Sequence, residues 1–191
     1  MEALYISTGV VALAEMGDKT QLLAFILAAR FKKPVPIILG ILLATLVNHG
    51  LAGALGAWIT SVVSPDVMRW VLGLSFIGMA IWTLIPDKIE EEDTQVAQKL
   101  GVFGATLVTF FLAEMGDKTQ IATVALAAHY AAPLMVVIGT TLGMLVADVP
   151  AVFVGNKFAT KIPMRLVHSI AAGIFAIMGV LTLLKAEKLF Q

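Results

Sequence analysis

The sequence predicts an all-α integral membrane protein, with six transmembrane helices arranged as two inverted three-helix repeats. Three observations carry that prediction. Of the 191 residues, 59% are hydrophobic and only 14% charged, with a mean hydropathy of +0.94. Soluble domains carry about a quarter charged residues, and one soluble core of this size could not hide so much apolar surface. Six mostly apolar runs follow one another, each near the ~20 residues that cross a bilayer. Finally, a short acidic motif occurs twice. Leu13–Leu22 reads LAEMGDKTQL and Leu112–Ile121 reads LAEMGDKTQI, nine identities in ten at an offset of 99.

The first run covers residues 3–29 and stops at Phe31-Lys32-Lys33-Pro34. The second, 35–62, ends at Ser64-Pro65-Asp66, and the third, 67–85, at Pro86. Residues 87–99 (DKIEEEDTQVAQK) form the one long polar stretch and read as a solvated linker. The fourth run, 100–129, ends at Ala132-Pro133, the fifth, 133–157, at Ile162-Pro163, and the sixth spans 164–185. The chain thus divides into a first repeat over 1–86, a cytoplasmic acidic linker over 87–99 and a second repeat over 100–191. The same offset pairs Pro34 with Pro133, Gly40 with Gly139 and Gly56 with Gly155. Three spans per half is an odd number, so the halves cross the membrane in opposite directions. Secondary transporters often use that arrangement, with the substrate site at the repeat interface near the midplane.

Orientation follows from basic residues near the span ends. Arg30, Lys32, Lys33, Lys88, Lys99, Lys157, Lys161 and Arg165 flank one side, and Arg69, Lys185 and Lys188 the other. The positive-inside rule then places both termini outside the cytoplasm, in a multi-pass protein of the plasma membrane. Trp58, Trp70 and Trp82 fall near span ends, as interfacial aromatics should. The N-terminus lacks the positive n-region of a cleaved signal peptide. Zero net charge and no basic block argue against a nucleic-acid partner. Without cysteine there is no disulfide, thiolate metal site or Cys nucleophile.

The repeated motif places Glu15, Asp18 and Lys19, and then Glu114, Asp117 and Lys118, near the middle of apolar runs. Ionisable groups there are costly and mark functional sites. On a continuous helix, residues three apart share a face, so each copy is expected to present its Glu and Asp in one direction. Meeting at a pseudo-twofold axis, the copies bring four carboxylates together. Lys19 and Lys118 neutralise two of these charges, and a divalent cation balances the remaining two. Gln21, Gln120, Thr20 and Thr119 can add neutral oxygens. Hard oxygen donors suit Ca2+, Mg2+ or Mn2+ better than Zn2+ or Cu+. Met16 and Met115 lie about 100° round the helix from their Glu and are expected to pack. Asp148 and Asn48, each in the middle of a span, are further candidates for the ion site. Asp148 stands at the offset of His49, and Pro150 nearby can free backbone carbonyls. Asn48 and His49 are otherwise expected to bond between helices, and His129 and His168, at span ends, to be solvated or structural. Gly17 and Gly116 allow close helix approach or a local break.

The repeated E-x-G-D-K-T resembles the signature of the cation/proton antiporter family that includes Golgi calcium–manganese transporters and bacterial manganese exporters of the MneA type. Its pattern, E-x-G-D-(K/R)-(T/S) once per half, stands here as Glu15–Thr20 and Glu114–Thr119, and the likeness covers nearly the whole chain. The resemblance implies that Glu15, Asp18, Glu114 and Asp117 bind the cation and that cation efflux is coupled to proton entry. A short chain of this kind resembles bacterial members, which implies Mn2+ export across the bacterial inner membrane, with Ca2+ as the alternative ion. The expected partners are a divalent cation, protons and the lipid bilayer, with no cofactor and no enzymatic activity; a homo-oligomer is compatible with the sequence.

Alternating access follows as the expected mechanism, with metal and protons competing for the same carboxylates. Two other classes are weighed. An intramembrane aspartyl protease wants Gly where this chain has Glu15 and Glu114. A passive cation channel is compatible with the residues, but two inverted halves around one buried site suit rocking better than an open pore.

Overall fold

The computed structural model describes residues 1–85, 100–154 and 164–184. Among these residues the chain is all-helical: α1 Glu2–Glu15, α2 Lys19–Phe31, α3 Pro34–Val62, α4 Pro65–Thr83, α5 Gly101–Glu114, α6 Lys118–Tyr130, α7 Pro133–Val154 and α8 Met164–Leu183. Each helix of the second set begins 99 positions after its counterpart in the first.

The first and fourth apolar runs are not continuous helices, contrary to the expectation from hydropathy. Each is two short helices broken inside the repeated motif. Gly17 and Gly116 take φ of 80° and 81°, a left-handed conformation that glycine adopts without a Cβ clash. The following Asp18 and Asp117 have extended backbone and sit at the N-caps of α2 and α6, a position aspartate favours. Among the described residues α3 and α7 are the helices long and apolar enough to cross a membrane; the break accounts for the shortness of α1, α2, α5 and α6, of which Gly101–Glu114 is apolar but short.

Most other boundaries fall at the sequence punctuation. Lys32 and Ala131 turn α2 and α6 off with φ of 53° and 49°. Pro34 and Pro65 open α3 and α4, and Pro133 opens α7, as the fixed proline φ favours at a first helical turn. The linker 87–99, Gly155, Pro163 and the basic residues Lys88, Lys99, Lys157, Lys161, Lys185 and Lys188 lie outside the described residues.

Packing is reciprocal. Helix α1 lies on α7 as α5 lies on α3, α2 meets α7 as α6 meets α3, and α4 lies on α8. Small residues permit these approaches. A Cβ on Gly40 of α3 would stand 2.7 Å from the Thr106 Cβ of α5, and one on Gly139 of α7 would stand 2.6 Å from the Leu4 carbonyl of α1. The polarity of the bundle runs inside out. Helix α3 buries Gly40, Thr45, Asn48, His49 and Gly56 and exposes Leu39, Leu43, Leu51, Leu55 and Trp58. A lipid-facing surface accounts for that pattern.

A Cβ on Gly143 would lie 2.6 Å from the Thr8 carbonyl and 2.9 Å from the Ala12 amide, backbone atoms that can yield only by moving α1 away from α7. Gly143→Ala is therefore expected to destabilise the purified protein by about 1–3 kcal/mol, read as a lower thermal unfolding midpoint in detergent. Gly50 has open space around its missing Cβ, and Gly50→Ala should be neutral or stabilising by up to ~1 kcal/mol from helix propensity.

Candidate metal centre

Both copies of the motif fold into the same local structure, an interruption between two short helices. Glu15 and Glu114 are the last residues of α1 and α5, and Asp18 and Asp117 occupy the N-cap positions of α2 and α6 without a side-chain hydrogen bond to the helix amides. The expectation that Glu and Asp share one continuous helix face is therefore corrected, because the left-handed glycine between them ends one helix before the next begins. The two carboxylates of each copy come instead from opposing helix ends. The N-terminal end of α2 or α6 favours its Asp, and the C-terminal end of α1 or α5 favours a cation beside its Glu. Broken helices of this kind supply ion sites in transporters.

The glutamines serve the break directly. The Gly17 N–H donates to Gln21 Oε1 at 2.9 Å and the Gly116 N–H to Gln120 Oε1 at 2.7 Å. Each amide oxygen thus satisfies a backbone donor that the interrupted helix leaves without an in-helix acceptor. Gln21 Nε2 donates to the Ala147 carbonyl at 2.7 Å, tying α2 to α7. Thr20 Oγ1 donates to Glu15 Oε2 at 2.7 Å and Thr119 Oγ1 to Glu114 Oε2 at 3.0 Å, fixing one oxygen of each glutamate.

The lysines pair across the halves. Lys118 Nζ donates to Asp18 Oδ1, and Lys19 Nζ lies 3.2 Å from Asp117 Oδ1. Each ammonium thus holds the carboxylate of the other copy, which locks the two breaks against one another. The pairs are unequal: the Lys118 side chain is 3% exposed and the Lys19 side chain 25%.

Glu15, Glu114 and Asp117 are buried and offer oxygens that lie within 4.8 Å of one another. Ligand atoms bound at roughly 2.0–2.6 Å to one cation stand about 3–5 Å apart, so these three acids can share an ion. Asp18 is buried beside Lys118 and is not part of that group. Asp148 is also fully buried, and neither of its oxygens has a hydrogen-bond partner among the described residues. It too lies outside the group of three. Asn48 Nδ2 donates to the Phe111 carbonyl at 3.0 Å, and its Oδ1 accepts a long 3.4 Å contact from Gln120 Nε2. Asn48 thus bonds between helices, α3 to α5 and α6.

Two contacts were not anticipated from the sequence. His168, read as structural at a span end, places Nε2 2.6 Å from the Met16 carbonyl, bracing α8 on the first break. The crossed lysine pairing is the other; sequence alone shows one lysine per copy but not which copy's carboxylate it serves. His129 stacks edge-on against Phe76 and Tyr130, a packing role in keeping with its place at a helix end.

A sequence profile of the family described as divalent cation/proton antiporter GDT1 matches residues 3–91 and 102–189, two segments that start 99 positions apart. The chain is 51% identical over 183 residues to a Vibrio cholerae protein named "Putative manganese exporter", covering 95% of this chain and 90% of that protein. It is 31% identical over 200 residues to "GDT1-like protein 3" of Oryza sativa subsp. indica, covering 91% and 71%, and 29% identical over 201 residues to "GDT1-like protein 3" of Arabidopsis thaliana, covering 91% and 68%. No solved structure matches.

Removing the Lys118 ammonium withdraws a counter-charge from a buried Asp18. Lys118→Met is expected to cost about 3–5 kcal/mol, measured as a fall in the thermal midpoint in detergent. Lys19→Met should cost clearly less, because water reaches Lys19. The double variant Lys118→Met/Asp18→Asn should regain part of the loss.

Proposed function

The chain belongs to the divalent cation/proton antiporter family GDT1, and on that premise we propose that it exports Mn2+ from the cytoplasm in exchange for protons, by alternating access. The observation that carries this reading is the meeting of Glu15, Glu114 and Asp117 oxygens within 4.8 Å inside the bundle. These residues hold the ion, and Asp18 stands ready behind the Lys118 pair. In this reading α1 and α2 together make one membrane crossing, as do α5 and α6. The molecule is then six spans in two inverted repeats, 1–86 and 100–191, joined by a cytoplasmic linker over 87–99, with both termini outside a bacterial inner membrane. The equal helix offsets and the reciprocal packing of α1 on α7 and α5 on α3 support that assignment.

The chemistry of exchange follows from charge. Glu15, Asp18, Glu114 and Asp117 carry four negative charges and Lys19 and Lys118 two positive ones, so the motifs are two charges short of neutrality. A buried site pays heavily for uncompensated charge. One divalent cation fills the deficit, and so do two protons. Metal and protons therefore replace one another on the same oxygens: protonation removes the charge that holds the metal, and the metal displaces the protons. The empty, fully ionised site is the unfavourable species, which discourages the bundle from reorienting without cargo. Mn2+ rather than Ca2+ is the preferred cargo by likeness to the Vibrio cholerae protein's name.

Glu15→Gln, Glu114→Gln and Asp117→Asn are each expected to abolish Mn2+-driven proton movement in proteoliposomes, while protein that still folds and reconstitutes shows the loss to be local. Retained exchange in any one of them overturns the shared site. In inside-out vesicles an imposed proton gradient should drive Mn2+ accumulation in preference to Ca2+.

Charge balance makes a separate prediction. Exchange of two protons per divalent cation is electroneutral, so the Mn2+ flux should follow an imposed pH gradient and stay unchanged when a potassium diffusion potential is applied. Electrogenic flux indifferent to the pH gradient would mark a channel instead.

A further inference from the structure

We propose, resting on the Mn2+ reading above, that His49 supplies a ring nitrogen to the transported ion and is the residue that discriminates Mn2+ from Ca2+.

His49 lies in the middle of α3 with a fully buried side chain. Buried imidazoles ordinarily bond through their ring nitrogens. Here neither Nδ1 nor Nε2 has a hydrogen-bond partner among the described residues. The structural role expected of a membrane histidine, a bond between helices, is therefore not the one it performs. Its neighbour Asn48 performs that role, with its amide donating to the Phe111 carbonyl at 3.0 Å. Adjacent polar residues on one helix thus divide the work: Asn48 bonds between helices, and the His49 ring nitrogens make no hydrogen bond among the described residues.

The unengaged nitrogen faces the site. His49 Nε2 stands 3.9 Å from Glu114 Oε2, too far for a hydrogen bond. It is, however, within the range of about 3–5 Å that separates two atoms bound to one cation. Glu114 is also a member of the group formed with Glu15 and Asp117. One glutamate therefore connects the three-carboxylate cluster to a buried nitrogen donor.

A nitrogen at that position changes what the site selects. Ca2+ and Mg2+ are hard cations that take oxygen ligands, and a site offering one imidazole in place of an oxygen gives them one donor fewer. First-row transition ions accept imidazole, and Mn2+ stands at the weak end of their affinity order. Three carboxylates with one nitrogen thus disfavour Ca2+ while holding Mn2+ loosely enough to release it. The nitrogen comes from one half alone, since the counterpart of His49 at the 99-residue offset is Asp148.

Pulsed electron paramagnetic resonance of Mn2+ bound to the purified full-length protein tests this directly. The wild type is expected to show nitrogen hyperfine coupling that changes when the protein is grown on isotope-labelled histidine. His49→Gln should lose the coupling yet still bind Mn2+, and Ca2+ should compete for its site about tenfold better or more relative to wild type. Should His49→Gln fail to fold, the double variant His129→Gln/His168→Gln retains His49 as its sole histidine and must keep the labelled-histidine signal. Mn2+ bound to wild type without histidine coupling, or coupling that survives His49→Gln, overturns this assignment and leaves Mn2+ export standing. Absence of Mn2+ binding to wild type overturns both.

Discussion

The structure depends on compensating buried charge inside a bundle whose outer surface is apolar. Four motif carboxylates and two ammonium groups come from two copies of one heptapeptide, and neither copy settles its own balance. Lys118 reaches Asp18 and Lys19 reaches Asp117, so each half carries the counter-ion of the other. That crossing does what a hydrophobic interface does in a soluble protein: it makes the halves obligatory partners. Apolar packing alone would be a poor substitute, because lipid competes for apolar contact as well as another helix does. Separating the breaks would leave an aspartate without its partner in low dielectric.

The rest of the motif follows from holding those charges at broken helix ends. A break exposes amides and carbonyls that lipid cannot satisfy. Gln21 and Gln120 take the glycine amides, and His168 takes the Met16 carbonyl. Thr20 and Thr119 then fix one oxygen of each glutamate. The sequence E-x-G-D-K-T-Q is in this light a recipe for a helix interruption with its own hydrogen-bond closure.

Much of this is legible in the sequence. The repeat offset correctly pairs the helix starts, Pro34 with Pro133 included, and the four acids stand out because charge in an apolar run is too costly to persist without a function. What hydropathy conceals is that residues 3–29 and 100–129 are broken. Gly followed by Asp is a stop and a start signal, but a long apolar run outweighs two residues in any reading of periodicity, and shared-face geometry then extends across a break. The glutamines look like ligands because an amide oxygen near acids can join a hard-cation site; their capping role becomes apparent only once Gly17 and Gly116 are left-handed. Side-chain partnership over about a hundred residues, as in Lys118 with Asp18, has no periodicity to betray it.

Where the halves differ carries as much meaning as where they agree. Asn48 is matched by Ala147, His49 by Asp148 and Arg69 by His168, and His168 lies directly against the first break. Gln21 bonds to the backbone at Ala147 at 2.7 Å, whereas Gln120 meets the Asn48 side chain at 3.4 Å; the same motif residue is held firmly on one side and loosely on the other. Lys19 is partly exposed while Lys118 is not. A perfectly symmetric pair of repeats would hold both breaks by the same contacts. Unequal anchoring therefore makes the two duplicated breaks inequivalent, the first tied to the α7 backbone and to His168 and the second held by a longer side-chain contact.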